Sequence, residues 1–485
     1  MKQIWPVGIL LLFGCAPGLP GPGGGARAVA PRSGEAWAPE RVERDLPPAT
    51  APEMPSADVL ARRNALTLTD VVDIALHNNP ATRISWSNAR AAAARLGAAR
   101  GDYLPTAQVD LRANTLQTAG TQGTSSVQQT TYGPSASFTW LLFDLNRGSS
   151  ITSARNALLA ADWTHNAAVQ DVVLQVGRAY YTYAASRALL QAQQATKAEA
   201  DTNLMAAEER RRVGLATIAE VLQARTAAAQ ALLDLQRTEG DVAATRGALA
   251  VSTGLPANAE FDVDSLAGTG PIGAIVDSVD ALIALARANR PDLAAAAATW
   301  RQSAADARAA YAKRLPALTA QGNAGRTYLS GTSTPRESYS VGVGLSIPIF
   351  NGFTWEYEAE AAREAARAQA ARVDQLGQRA VLEVFTDYYA LRTATQSVRT
   401  TEELYASAEE SAQAALGRYR AGVGSLLELL TAESALGNAR ALKIQARLSW
   451  NTALLQLAHD VGVLDARGGH ALRIAPDTTA PAPSR

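Results

Sequence analysis

The chain has 485 residues, and its 45 Lys and Arg balance 45 Asp and Glu, for a formal net charge of zero. That balance gives nucleic acid no electrostatic reason to bind, and the single cysteine, Cys15, excludes an intramolecular disulfide or a multi-thiolate metal site. No run of about 18 apolar residues occurs anywhere, so any crossing of a membrane has to be made by strands.

Residues 1–15 read as a secretory signal, with Lys2 ahead of an apolar run that ends at Gly14. Leu12-Phe13-Gly14-Cys15 is similar to a bacterial lipobox, with Phe13 an unusual occupant, which makes Cys15 a candidate lipidation site. The alternative is an ordinary signal peptide with an incidental cysteine. Residues 16–65 are rich in Pro, Gly and Ala without periodicity and read as an extended tether.

Order is expected from residue 66, where Thr67 or Thr69 can cap a helix that stops at Asn78-Asn79-Pro80. A second helix over 81–102 ends at Tyr103-Leu104-Pro105. Two alternating runs follow, predicted as strands 106–116 and 132–143 and joined by a polar loop. Val109, Leu111 and Ala113 share one face of the first run; Ala136, Phe138, Trp140 and Leu142 share one face of the second. From Gly148 to Leu255 there is no proline, and Val169, Val172, Val176, Tyr180 and Tyr183 mark a helical stripe. The pattern breaks at Val213-Gly214-Leu215-Ala216-Thr217, where Gly214 suits a helix C-cap and Thr217 the next N-cap. The arms on either side, about 65 and about 37 residues, would span about 95 and 55 Å.

The chain then repeats itself after roughly 210 residues. Asn79-Pro80 returns as Arg290-Pro291, Tyr103-Leu104-Pro105 as Arg314-Leu315-Pro316, and Phe143-Asp144 as Phe350-Asn351. Tyr180-Tyr181 returns as Tyr388-Tyr389, Gly214 as Gly422, and Gly254-Leu255 as Gly462-Val463. The division is therefore a first repeat over 66–256, a linker over 257–275, and a second repeat over 276–463 with strands 317–328 and 339–349. Residues 464–485 are expected to be a disordered tail. Length alone suggests about three domains; the duplication favours one elongated unit instead.

Four strands cannot close on themselves, and open sheet edges are not tolerated in lipid. Three copies would supply twelve strands, an even number that suits an outer-membrane barrel. Trp140, Phe143, Phe350, Phe353 and Trp355 cluster where strands meet helices, as an interfacial aromatic girdle would. The expected fold is mainly α with a membrane β-barrel: a duplicated helix, hairpin and long helical hairpin, forming a trimeric twelve-stranded barrel with a periplasmic helical tunnel.

Over 66–463 this layout resembles the TolC-type outer-membrane efflux proteins. Leu76-His77-Asn78-Asn79-Pro80, Ile347-Pro348-Ile349-Phe350-Asn351-Gly352 and Tyr419-Arg420-Ala421-Gly422-Val423-Gly424-Ser425-Leu426-Leu427-Glu428 carry the resemblance. It implies a homotrimeric passive conduit in the outer membrane, with a periplasmic adaptor and an inner-membrane pump as partners. It also implies that Val213, Gly214, Leu215, Ala216, Thr217, Ala421, Gly422, Val423, Gly424 and Ser425 form adaptor-docking tips. Glu428 and its first-repeat equivalent Glu220 would narrow the tunnel; Thr431 stands where some members carry a second acid. His77, His165, His459 and His470 show no metal spacing and read as surface or packing residues. No nucleophile motif or phosphate loop stands out, so no catalysis and no cofactor or metal are expected. The rival reading is a non-transporting periplasmic coiled-coil scaffold, which would not need the same alternating hairpin twice.

Overall fold

The computed structural model describes residues 65–118, 127–264, 273–332, 334–465, 472 and 474–476. Helix α1 (Leu68–Asn78) opens with a capping box in which Thr67 and Asp70 satisfy each other's backbone N–H groups. Thr67, not Thr69, is therefore the N-cap. Helix α2 (Pro80–Gly101) starts at Asn79, whose side-chain oxygen accepts from Ala81 N–H at 2.8 Å. Pro80 fits there because the first helical N–H has no partner to lose. Strands β1 (Thr106–Thr118) and β2 (Val127–Phe143) follow, then the long α3 (Leu145–Arg212) and its return α4 (Ile218–Ser252). After β3 (Gly273–Ile275) the order recurs as α5 (Val279–Asn289), α6 (Pro291–Ala312), β4 (Ala317–Leu329), β5 (Arg336–Ser346), α7 (Thr354–Arg420) and α8 (Leu426–Asp460), with β6 (Ile474–Pro476) last.

Helices α3 and α7 have 68 and 67 residues, and α4 and α8 have 35 each. At about 1.5 Å per residue the long arms run about 100 Å from sheet to tip. The main core sits part-way along them, at a waist where Val172, Val173, Val176, Tyr180 and Tyr183 of α3 meet Leu249, Trp450, Leu457 and Val461. Chain segments from outside the long helices are stitched in here: Leu66 pairs with Val263, Tyr180 Oη donates to the Leu66 carbonyl, and Tyr183 Oη donates to Asp262.

Three expectations about extent are corrected. The first hairpin is longer than 106–116 and 132–143: its ladder reaches Thr118↔Val127, and Thr115 and Thr130 hydroxyls meet at 3.0 Å across it. Threonine and valine favour extended backbone whether or not one face is apolar, so the strands outrun the hydrophobic alternation that marked them. Strand β5 runs Arg336–Ser346 rather than 339–349. Pro348 lacks an N–H for a ladder, so pairing stops before Ile347. The tail is not wholly without structure, since Ile474–Pro476 pairs with Gly273–Ile275 of the linker, and Leu464 and Leu472 are buried. Their apolar side chains gain more from the waist core than from water. Cys15 and His470 lie outside the described residues.

One close approach in each repeat fixes how the short helices seat against the long ones. Gly254 and Gly462 end α4 and α8 with φ of 81° and 77°. A Cβ on Gly254 would lie 2.6 Å from the Asn78 carbonyl oxygen, and one on Gly462 would lie 2.8 Å from the Asn289 carbonyl carbon. Only glycine allows both the left-handed turn and the contact.

Candidate functional site

The sheet order is β1-β2-β4-β5, and its register sorts side chains onto two unlike faces. One row contains Val109, Ala136, Ala324 and Tyr339; the next contains Ala107, Phe138, Gly322 and Val341. Further rows on that face hold Trp140, Ala320 and Val343, then Leu318 and Leu345. The opposite face holds Gln108, Ser137, Asn323 and Ser340, then Asp110, Ser135, Gly325 and Ser338. The apolar face is bare: Leu111 is 82% and Val341 79% exposed. Phe138 lies across Gly322, where a Cβ would meet its ring at 2.1 Å, so the ring covers backbone that would otherwise face outward.

On β1, β2 and β4 the apolar band reaches Ala113, Tyr132 and Tyr328, the two tyrosine rings stacked at 5.3 Å, whereas on β5 it ends at Tyr339 beside the Arg326–Glu337 ion pair. An outward-facing apolar band of this kind is what a barrel wall in a bilayer presents to lipid.

The far ends of the long helices are two matched turns. Gly214 (φ 82°) and Gly422 (φ 74°) close them. Leu215 N–H donates to the Arg210 carbonyl at 2.7 Å and Gly214 N–H to Arg211 at 2.9 Å; Val423 donates to Arg418 at 3.0 Å and Gly422 to Tyr419 at 3.1 Å. This pairing of the last carbonyls is what a left-handed residue makes available. The return helices are capped by Thr217 and Ser425, whose hydroxyls accept from Glu220 and Glu428 N–H. Ala207, Val221, Ala224, Ala415, Leu426 and Leu429 pack the two turns together. Arg210 crosses between them, donating to the Tyr419 carbonyl at 3.2 Å with its guanidinium 4.7 Å from the Tyr419 ring centre. Val213, Leu215, Val423 and Leu427 remain exposed, so the turns present apolar side chains at the extremity of the molecule.

Glu220 and Glu428 occupy equivalent positions with different partners. The Glu220 carboxylate closes a capping box with Thr217 N–H at 2.8 Å, whereas Glu428 Oε1 lies 3.0 Å from Arg418 Nε. At the other end, Trp140 Nε1 donates to the Tyr103 carbonyl at 2.9 Å, and Phe350 and Phe353 pack edge to face at 5.4 Å. Phe143 is exposed and Trp355 half-buried. Of the histidines, His77 contacts the Asp73 carbonyl, while His165 is buried against Ser85. His459 is engaged by Asp171 and Asp460. The contacts of Arg210 and Arg418 cross between elements and have no signature in the local sequence pattern. Among the described residues, no group of His, Cys, Asp and Glu could hold a metal ion, and no helix is long and apolar enough to cross a membrane.

Comparison with known families settles the class. The profile of the outer membrane efflux protein family matches residues 71–255 and 282–463, one segment for each repeat. The chain belongs to that family. As an outer membrane efflux protein it is a channel of the outer membrane with a helical extension into the periplasm. It is 28% identical to protein CyaE of Bordetella pertussis, over 91% of this chain and 92% of that one. It is 27% identical to the probable efflux pump outer membrane protein TtgC of Pseudomonas putida, over 87% and 88%. The Campylobacter jejuni CmeC outer membrane channel superposes with a TM-score of 0.72 at 18% identity, covering 81% of this chain and 85% of that one.

Proposed function

We propose that three copies of this efflux protein close into one barrel and serve as the passive outer duct of a tripartite efflux or type I secretion assembly. A periplasmic adaptor docks on the Gly214 and Gly422 tips, and an inner-membrane pump supplies the energy. The observation that carries the reading is the open sheet: β1 and β5 each keep an unpaired edge while the face between them is apolar. Unpaired backbone is too costly in hydrocarbon to stay unpaired. Three four-stranded sheets give about twelve strands, within the range of outer-membrane barrels. No catalytic chemistry is required of such a duct.

Further assignments follow from the same reading. The exposed apolar tips suit an adaptor's helical hairpin, and Glu428 and its first-repeat counterpart Glu220 narrow the tunnel near its entrance. Trp140, Phe143, Phe350, Phe353 and Trp355 form the periplasmic-side aromatic girdle, and an acylated Cys15 adds a lipid anchor through the tether 16–65. Heat-modifiable migration of outer-membrane fractions, with mass measurement of the detergent-solubilised protein, tests the assembly. A trimer that collapses to monomer on boiling is expected. A soluble monomer outside the membrane fraction would overturn the duct and favour the scaffold. Which adaptor and pump co-purify decides between small-molecule efflux and protein secretion.

A further inference from the structure

The duplication lets one joint be compared with its own copy. In the first repeat, the seat between α1–α2 and the end of α4 is neutral: Asn79 Nδ2 donates to the Ser252 carbonyl at 2.9 Å. At the matching place in the second repeat, Arg290 Nη1 donates to the Asp460 carbonyl at 3.2 Å. There the surroundings have become ionic. His459 and Asp460 stand where the first repeat has Val251 and Ser252; Glu383, Asp387 and Asp292 stand where it has Gln175, Ala179 and Ala81. With Asp171 of α3 and Arg379 of α7 they line a cleft of about 580 Å³ between α3, α6, α7 and α8.

The imidazole of His459 lies at the centre of the connections. Its Nε2 is 2.9 Å from Asp171 on α3 and its Nδ1 is 2.7 Å from Asp460 beside it. A ring with a carboxylate at each nitrogen carries a proton on both. Around it, Arg290 pairs with Asp292 and Glu383, each at 2.8 Å, and Arg379 meets Glu383 at 2.7 Å. Gln456 donates to Asp460 at 2.7 Å and accepts from Arg178.

We propose that this cluster is an alkali-released latch. The His459 imidazolium, clamped between Asp171 of the first repeat and Asp460 of the second, fastens the two repeats at the waist and lets go when it loses its proton. The apolar waist core is untouched by that loss, so release loosens α8 from α3 without unfolding either.

The groups facing the ring lose their contributions at different pH. Burial by itself would lower His459, but the hydrogen bonds and charges of Asp171 and Asp460 override it and raise the ring to about 9. Its contribution is therefore complete below its ordinary value of 6.5 and is lost as pH rises through about 9. Burial, then Asp460 and Glu383, push Asp387 up to about 8 against the opposing charge of Arg178. Its ionisation therefore weighs against the closed joint increasingly as pH climbs to that value. Asp460 is held well below the usual carboxylate range despite burial, by His459, Asp387 and Gln456, so its contribution fails only in acid.

The test uses full-length protein purified in detergent, with thermal unfolding followed from about pH 6 to about pH 9.5. Wild type is expected to lose stability from about pH 6.5 to about 9. His459→Gln should begin lower and keep only the shallower Asp387 loss, running flat above about pH 8, while Asp387→Asn should be flatter below about pH 8 and keep the His459 loss up to about 9. Asn79→Ala, which breaks the neutral copy of the joint, should shift the whole curve without changing its slope. Hydrogen exchange over the α3 segment containing Asp171, corrected for the intrinsic rise of amide exchange with pH, supplies a second reading: protection should fall in alkali in wild type and Asn79→Ala but not in His459→Gln. A pH-independent wild type, or a His459→Gln variant with the wild-type slope, would overturn the latch.

Discussion

A methyl group added at Gly462 probes the seating of the short helices on the long ones more directly than any truncation. The substitution Gly462→Ala places a Cβ 2.8 Å from the Asn289 carbonyl carbon and 2.9 Å from Arg290 nitrogen, where ordinary contact begins at 3.4 Å. The left-handed turn alone costs alanine about 1–2 kcal/mol. Opening a packed backbone contact by about half an ångström adds about 1–3 kcal/mol. The expected loss is therefore about 2–5 kcal/mol, with Gly254→Ala at least as costly because its Cβ meets the Asn78 carbonyl oxygen at 2.6 Å. Gly214 and Gly422 provide the control. They have the same positive φ with nothing within 4 Å of the added carbon, so only the conformational part is lost. Denaturant unfolding of the four purified variants, read as midpoint shifts at constant slope, measures the difference. Equal losses at the tips and at the waist would refute the claim that close approach requires glycine at the joints.

Three other substitutions address the wall, the entrance and the anchor. Val341→Arg places a charge on the lipid-facing side and should cost about 2–4 kcal/mol of folding into vesicles, whereas Ser340→Arg on the opposite face should cost little. Removing the Glu428 carboxylate with Glu428→Ala should abolish block of single-channel current by divalent cations; unchanged block would show that this acid does not line the constriction. Cys15→Ser should eliminate incorporation of labelled palmitate in growing cells while leaving channel formation intact, and label retained by the variant would place acylation elsewhere.

The strands were legible because lipid demands alternation, and the tips because only glycine closes those turns cheaply. Register was not legible. Nothing in the local pattern sets Phe138 over Gly322, since that contact depends on how the two hairpins align. Strand ends fall beyond the alternating pattern where threonine keeps the backbone extended, as at Thr118 and Thr130. The ionic joint was invisible for another reason. His459 and Asp171 are 288 residues apart, and each reads singly as an ordinary helix-surface residue until folding brings them together.

The sheet order also has a kinetic consequence. β1 pairs with β2 locally, but β2 waits for β4, joining Thr131 to Leu329 and Trp140 to Ala320 across most of the first repeat. Closing a loop of that length costs about 5 kcal/mol of chain entropy before any contact rewards it. Topologies dominated by such distant pairings fold slowly and expose their edges meanwhile. During export, the first hairpin therefore has to be kept from aggregating until the second half of the chain has crossed, which makes periplasmic holding of an unfinished, strongly apolar ribbon a built-in requirement of the duplicated design.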